Sequence, residues 1–134
     1  RRTPTLGICL GMQLLMQKSE EGDLPGLGWI EGGNVRFHFD ESNGHLKIPH
    51  MGWNTATVKR HDSLFKDLDQ EARFYFVHSY HVVCKKEDDV LAMTHHGADF
   101  VSALQSGNIM GTQFHPEKSH KFGMKLLSNF AELA

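Results

Sequence analysis

Cys9 is the residue best placed by its neighbours to act as a covalent nucleophile. It lies at the centre of Gly7–Gly11, with the sequence GICLG. This is the cysteine form of the Gly-x-Ser-x-Gly pattern, in which a strand turns sharply into a helix with the nucleophile at the bend. We expect the helix N-terminus to lower the pKa of the thiol. The N–H of Leu10 would face an oxyanion formed by attack. The same pattern is also typical of a structural cysteine between two helix-packing glycines.

His115 and Glu117 could supply the base that a thiol nucleophile needs. They follow a predicted strand in the triplet His-Pro-Glu. Residues i and i+2 of an extended chain point the same way, and Pro116 biases His115 toward extended backbone, so Glu117 is expected to orient the His115 ring. Alone, the triplet is more typical of a turn at a strand end. Together with Cys9 it predicts a Cys9, His115, Glu117 triad.

Short strands with a helix near each end of the chain must position these groups. Helical patterns cover Met12–Met16 and a C-terminal stripe of Phe122, Leu126, Phe130 and Leu133. Asn43-Gly44 predicts a hairpin turn. Apolar or alternating runs predict strands at Thr5–Ile8, Val35–Phe39, Leu46–Pro49, Thr55–Val58, Phe74–Val77, His81–Cys84, Val90–Met93, Phe100–Ala103 and Ile109–Phe114. The pattern predicts a mixed α/β fold with a β-rich middle, as a single domain over residues 1–134.

Composition excludes several classes of protein. The 134 residues are 40% hydrophobic and 22% charged, which excludes a disordered chain, a collagen and a disulfide-dense scaffold. Fourteen Lys and Arg against sixteen Asp and Glu give a net charge of −2, so neither nucleic acid nor an anionic membrane is an expected partner. Two cysteines without a recognisable targeting segment indicate a reducing compartment, and we expect the cytoplasm. Cys84, in a Val-Val-Cys strand, is expected to fill the core.

Ten histidines suggest a metal site, and several glycines suggest a nucleotide-binding loop. The histidine groups are His95 with His96, His78 with His81, and His115 with His120. None has the spacing of a metal site, and adjacent strand residues point to opposite faces. The glycines of residues 26–33 resemble a nucleotide loop, but Glu31 occupies the third glycine position. We therefore expect neither a metal nor a cofactor.

Two motifs carry a resemblance to a known family. Residues 7–13 (GICLGMQ) and 113–117 (QFHPE) resemble the class I (triad) glutamine amidotransferases. Residues 49–54, 77–80 and 116–119 resemble the glutaminase subunits of imidazole glycerol phosphate synthases rather than the anthranilate, GMP or carbamoyl-phosphate enzymes. The likeness extends from about Pro4 to the last residue.

This resemblance implies a flavodoxin-like, three-layer α/β domain that hydrolyses glutamine to glutamate. The ammonia would pass to a cyclase partner in a cytoplasmic heterodimer that serves histidine biosynthesis. By position, the resemblance implies Cys9 as nucleophile, His115 as base and Glu117 as its orienting partner. It implies glutamine binding by Leu10, Gln13, His78, Ser79 and Tyr80. It also implies a partner face and ammonia path that includes Trp53, Asn54, Tyr75 and Lys118.

The chain also departs from the family pattern. Residues 1–134 contain no counterpart of the family's first strands and glycine-containing oxyanion loop, so we expect an N-terminally truncated domain that is a poor glutaminase alone. Two alternatives stay open. One is a paralogous glutaminase that feeds a surface-sugar synthase, since residues 26–30 and 119–123 also resemble those proteins. The other is a non-catalytic module that only docks to a synthase.

Overall fold

A computed structural model describes residues 3–20, 22, 25–37, 49–61, 63–68 and 72–133. Helices α1 and α2 span Leu10–Leu14 and His120–Leu133, and 3-10 turns lie at Glu87–Asp89 and Pro116–Lys118. The strands are β1 (Thr5–Ile8), β2 (Lys18–Ser19), β3 (Gly32–Arg36), β4 (His50–Thr55), β5 (Thr57–Val58), β6 (Arg73–His78), β7 (Tyr80–Cys84), β8 (Val90–His95), β9 (Asp99–Ser106) and β10 (Ile109–Thr112). Within these described residues, no helix is long and apolar enough to cross a membrane.

The strands form one mixed sheet and a separate two-stranded pair. The main sheet has the order β1-β10-β9-β7-β3-β2, with β8 also paired to β9 and β5 paired to β8. β1 runs parallel to β10, and β2 runs parallel to β3. The second pair consists of β4 and β6, which are antiparallel. Because β1 and β10 are parallel, the chain leaves both strands at the same edge of the sheet.

Apolar side chains cover both faces of the main sheet. On one face, α1 and its neighbours contribute Met12, Leu15 and Met16 to a cluster that includes Val101 of β9. On the other face, a larger cluster joins Phe100 of β9 to the β4 and β6 pair and to α2. Successive residues of β9 therefore face different clusters, as a strand requires. The resulting three layers confirm the predicted α/β class.

Most of the predicted elements are present with shifted ends. The strands β1, β6, β7, β8, β9 and β10 and the helix α2 match predicted elements, although β10 ends at Thr112 rather than Phe114. The strand predicted from Val35 begins at Gly32, and its predicted end at Phe39 lies outside the described residues, as do Asn43-Gly44 and residues 46–48. Leu133 is 42% exposed, so the buried stripe of α2 ends before it.

Two sequence expectations about local structure are wrong. The predicted strand Thr55–Val58 is split at Ala56 between β4 and β5. The short helix after Cys9 ends at Leu14 rather than Met16.

The turn from β1 into α1 requires glycine at only one of its two glycine positions. A Cβ on Gly7 would lie 2.7 Å from the carbonyl carbon and oxygen of Gly11, and backbone atoms cannot move aside cheaply. A Cβ on Gly11 would meet no described atom within 4 Å. The close approach of α1 to β1 therefore depends on Gly7.

Substituting the two glycines separately tests this packing. We expect Gly7→Ala to lower the free energy of unfolding by roughly 1–3 kcal/mol because the new methyl group overpacks the turn. The matched control, Gly11→Ala, is expected to be neutral or to stabilise by up to about 1 kcal/mol, as alanine does in a helix. Urea unfolding measures both. Equal effects of the two substitutions would contradict the packing argument.

Candidate active site

Cys9 occupies a strained backbone position between β1 and α1. Its φ is 54° and its ψ is −107°, a region that a side chain rarely adopts. Its N–H donates to the carbonyl oxygen of Thr112 at 2.7 Å, which continues the β1 and β10 pairing one residue beyond β1. Strain of this kind costs about 1–3 kcal/mol and is concentrated at functional sites. The geometry is that of the predicted elbow, with the cysteine at the bend.

His115 and Glu117 are in direct contact. The distance from His115 Nδ1 to Glu117 Oε2 is 2.8 Å. The sequence predicted this contact for a backbone that is extended from His115 to Glu117. In the structure only His115 is extended, and Glu117 lies in the 3-10 turn Pro116–Lys118. A carboxylate only accepts, so the proton of His115 lies on Nδ1 and Nε2 is left able to accept another.

The turn that carries this pair is fixed by hydrogen bonds from two sides. The His115 N–H donates to the Tyr75 carbonyl oxygen at 2.9 Å. The Ser119 hydroxyl donates to the His115 carbonyl oxygen at 2.6 Å and accepts from the Tyr75 N–H at 2.9 Å. Gly123 of α2 lies against the Pro116 carbonyl group, where any Cβ would collide. The edge of β6 and the first turn of α2 therefore set the position of the imidazole.

Electrostatic effects couple Cys9 to the turn that follows His115. Glu117 raises and Lys118 lowers the pKa of Cys9, although both are secondary to the effect of burial. The charge of His115 acts on His78, which lines the same cavity as Cys9. Cys9 follows β1 and His115 follows β10, which are neighbours in the sheet. The fold thus brings the predicted nucleophile and the predicted base to the same edge of the sheet.

A cavity of about 410 Å³ opens beside the sulfur. It contains every residue for which the resemblance implied glutamine binding. One residue that the sequence reasoning missed, Arg36 at the end of β3, also lines it. The described lining residues are Cys9, Leu10, Gln13, Arg36, His78, Ser79 and Tyr80. Arg36 alone among them carries a formal charge at neutral pH, and its guanidinium lies 5.8 Å from the centre of the Tyr80 ring.

A hydrogen-bonded chain of amides joins the cavity wall to the sulfur. Gln13 Nε2 donates to the Tyr80 carbonyl oxygen at 3.3 Å and to Gln113 Oε1 at 3.4 Å. Gln113 Nε2 in turn donates to Cys9 Sγ at 3.6 Å. Gln113 is fully buried. Its position two residues before His115 was visible in the sequence, but nothing there indicated its contact with the cysteine.

The expected low pKa of Cys9 is wrong. Burial raises the pKa of the thiol, and this outweighs the hydrogen bonds from the Leu10 N–H and the Gln113 amide, which lower it. The helix α1 has only five residues, so few peptide dipoles are aligned to stabilise a thiolate. The resting sulfur is therefore a thiol.

The four residues assigned to a partner face lie away from the cavity. Trp53 of β4 pairs with Tyr75 of β6, and their ring centres are 5.8 Å apart. Lys118 lies in the turn after His115. Asn54 points elsewhere, since its Nδ2 donates to the His95 carbonyl oxygen at 2.9 Å. The structure thus brings Trp53 and Tyr75 together beside the triad turn but separates Asn54 from them.

The remaining candidate groups have structural surroundings. The described residues contain no cluster of three or more His, Cys, Asp or Glu side chains able to hold a metal ion. His95 contacts Asp99, with 2.8 Å between Nδ1 and Oδ1. Cys84 is a free thiol, and burial raises its pKa to about 11. A pKa that high leaves Cys84 almost entirely protonated and unreactive at neutral pH.

Solved structures share this fold. A candidate GMP synthase subunit from Thermoplasma acidophilum superposes with a TM-score of 0.68 at 22% identity, covering 99% of this chain and 58% of that one. A glutamine amidotransferase from Thermotoga maritima superposes with a TM-score of 0.58 at 17% identity, covering 97% of this chain and 47% of that one. At these identities the likeness establishes the fold alone.

The sequence itself establishes the family. The model of the class-I glutamine amidotransferases matches residues 1–133, and the chain belongs to this family. The imidazole glycerol phosphate synthase subunit HisH of Leptospira interrogans is 49% identical over 133 residues, and a HisH 2 subunit of Methanococcus maripaludis is 50% identical over 133 residues. Each alignment covers 99% of this chain, and the chain spans 65% and 64% of the lengths of these two relatives.

The pH dependence of Cys9 alkylation tests the raised thiol pKa. In a Cys84→Ser variant, which leaves one thiol, a raised pKa means that the thiolate fraction still increases above pH 9. The rate of reaction with iodoacetamide should therefore rise about tenfold per pH unit through neutrality and level off only above pH 9.

Two neighbouring charges provide matched controls for this profile. Glu117→Gln removes a negative charge that raises the thiol pKa, so the profile should move to lower pH. Lys118→Met removes a positive charge that lowers the pKa, so the profile should move to higher pH. A rate that is already level at pH 7 would contradict the assignment of a protonated thiol.

Proposed function

We propose that this chain, as a single domain over residues 1–134, carries the glutamine-hydrolysing site of an imidazole glycerol phosphate synthase. Glutamine would yield glutamate, and the ammonia would pass to a cyclase partner in a heterodimer that serves histidine biosynthesis. The observation that carries the proposal is the one cavity that holds Cys9 together with the predicted glutamine-binding residues. The names of the relatives from Leptospira and Methanococcus support the choice of synthase. Two free thiols support a cytoplasmic location.

The first half of the reaction forms a thioester. His115 Nε2 removes the proton from the Cys9 thiol as the sulfur attacks the δ-carbonyl carbon of glutamine. The negative charge on the carbonyl oxygen is stabilised by the Leu10 N–H, which already points at the sulfur. When the C–N bond breaks, the imidazolium returns its proton to the leaving nitrogen and ammonia departs.

The second half reverses these roles with water as the nucleophile. His115 removes a proton from water, which attacks the thioester carbonyl carbon. As the C–S bond breaks, the imidazolium gives that proton to the departing sulfur, so that glutamate and the Cys9 thiol are released. Glu117 stabilises the charged imidazolium in both halves because its carboxylate stays on Nδ1. A raised thiol pKa suits this cycle, since the sulfur is a proton acceptor when the thioester is hydrolysed.

Arg36 would recognise the amino acid end of glutamine. A guanidinium and a carboxylate form charge-assisted hydrogen bonds, and the α-carboxylate is the anionic group of the substrate. Arg36 and Tyr80 are register partners in β3 and β7, and both line the cavity that contains Cys9. A bound glutamine would then have its δ-amide at Cys9 and its α-carboxylate at Arg36.

The cyclase partner would bind the face beside the triad turn. Met51 and Trp53 of β4 are exposed by 63% and 46%. A second hollow of about 460 Å³ lies next to Trp53 and is bordered by Arg73, His120 and Lys121. An apolar centre rimmed by cations would suit a partner surface with acidic residues at its edge.

Replacing each cysteine in turn tests the nucleophile. In the full-length protein with its cyclase partner, Cys9→Ala should reduce glutamate release by at least about 10³-fold, since the thioester cannot form. The matched control, Cys84→Ala, should retain near wild-type turnover. A glutamine-like chloroketone should add its mass to Cys9 alone. Unchanged turnover in Cys9→Ala would remove Cys9 from this role, and a wild-type complex that neither turns over nor labels would favour the docking module.

A second substitution tests the recognition of the carboxylate. Arg36→Met should raise the KM for glutamine roughly 10- to 100-fold with a smaller effect on kcat, because it removes a charged hydrogen bond made by substrate in both ground and transition states. Lys86→Met is the control, since Lys86 is an exposed cation paired with Glu31. Steady-state kinetics measure both. Equal KM values for the Arg36 variant and the wild type would contradict the role.

A further inference from the structure

Two buried histidines form a hydrogen-bonded relay behind the wall of the glutamine cavity. His50 begins β4 and His78 ends β6, and the two are register partners. They are 4% and 6% exposed. His50 Nδ1 lies 3.0 Å from His78 Nε2, and His78 Nδ1 lies 2.9 Å from the Tyr80 carbonyl oxygen. Asn54 Nδ2 lies 3.4 Å from His50 Nε2. His78 lines the cavity, whereas His50 does not touch it.

The partners of the relay fix the position of every proton in it. A carbonyl oxygen only accepts, so His78 carries its proton on Nδ1 and its Nε2 accepts from His50 Nδ1. His50 Nε2 must then accept from Asn54. The amide of Asn54 is held in this orientation, because Nδ2 also donates to the His95 carbonyl oxygen and Oδ1 accepts from the Thr55 N–H at 2.8 Å.

Both rings must be neutral for this arrangement to hold. A proton added to either ring would put two N–H donors face to face, either between the rings or against Asn54. Burial is the main cause that lowers the pKa of His50 to about 3 and the pKa of His78 to about 4. Other titratable groups also act on the pair. His96 lowers the pKa of both rings, and His81 and His115 lower the pKa of His78. All of them disfavour a positive charge on the two rings.

Aromatic packing holds the His50 ring in place. His96 stacks on it with centroids 4.1 Å apart at 20°, and Phe76 stacks at 4.8 Å and 26°. Phe100 meets it edge-on at 5.7 Å. The ring is therefore fixed by contacts from three sides before it donates to His78.

The relay continues beyond Tyr80 to the nucleophile. The Tyr80 carbonyl oxygen accepts from His78 and also from Gln13, and Gln13 donates to Gln113, which donates to Cys9 Sγ. We infer that His50 is a positioning residue of the glutamine site, which acts through His78 to fix the Tyr80 carbonyl group and the amide chain that ends at Cys9. This inference rests on the proposed glutaminase function. No step of the chemistry passes through His50 itself.

Two replacements separate the hydrogen bond of His50 from its packing. His50→Phe keeps a ring that can stack between His96 and Phe76 but has no N–H. His50→Asn loses the ring but can place an amide N–H where Nδ1 was. In the full-length protein with its cyclase partner, we expect His50→Phe to raise the KM for glutamine about tenfold, with kcat within about threefold of wild type. We expect His50→Asn to bring the KM most of the way back.

The kinetic outcomes distinguish a positioning role from a packing role. Recovery in the asparagine variant supports the hydrogen bond. A rise in KM that is equal in both variants, or absent in the phenylalanine variant, would overturn the inference. If the wild-type complex itself fails to hydrolyse glutamine, the proposed function is wrong, and the relay is then judged by the spectroscopic measurement below.

Nitrogen chemical shifts of the two rings test the relay without any turnover. In protein labelled with ¹⁵N-histidine, both His50 and His78 should show the neutral Nδ1–H tautomer at pH 7, the opposite of the tautomer that free histidine prefers. Neither ring should gain a proton by pH 5, because both pKa values lie below that pH. An Nε2–H tautomer on His78, or a protonated ring at pH 7, would overturn the inference.

Discussion

The parallel pairing of β1 with β10 is the constraint on which the site depends. Its last hydrogen bond joins the Cys9 N–H to the Thr112 carbonyl oxygen at 2.7 Å. Since both strands run in the same direction, the chain leaves them at the same edge, and residues more than a hundred positions apart arrive side by side. Cys9 turns into α1 there, while the chain after β10 turns into the 3-10 segment that carries Glu117. Any slip of this register would change the position of Cys9 relative to His115.

One carboxylate interacts with both halves of the candidate site. Glu117 contacts the imidazole of His115, with 2.8 Å between Oε2 and Nδ1. The same negative charge raises the pKa of the Cys9 thiol, adding to the larger effect of burial. The first interaction is a direct contact, whereas the second acts through space. Burial and the charge of Glu117 both favour a Cys9 sulfur that rests as a thiol.

Sequence reasoning succeeded where a few adjacent residues determine the geometry. Gly7 and Cys9 define the elbow, because only glycine fits against α1 and only a turn places the thiol at the helix start. The contact between His115 and Glu117 was also predicted, although a 3-10 turn produces it and extended backbone does not. The sequence did not predict strand β4. Gly52, with a φ of 133°, weakens the strand pattern there, and the segment is a strand because it pairs with β6.

The rest of the site could not be predicted because its central acceptor is a backbone carbonyl oxygen. Every residue has such an oxygen, so that of Tyr80 leaves no trace in the sequence. Its two donors, Gln13 and His78, come from α1 and from β6 on different layers of the fold. Only the family resemblance assigned His78 to the site. His50 could not be assigned from the sequence, because its proposed role depends on its contact with the His78 ring. A hydrogen-bond network of this kind depends on how α1 and β6 pack around the Tyr80 carbonyl group. That packing is a property of the whole fold and is not encoded in any local pattern of residues.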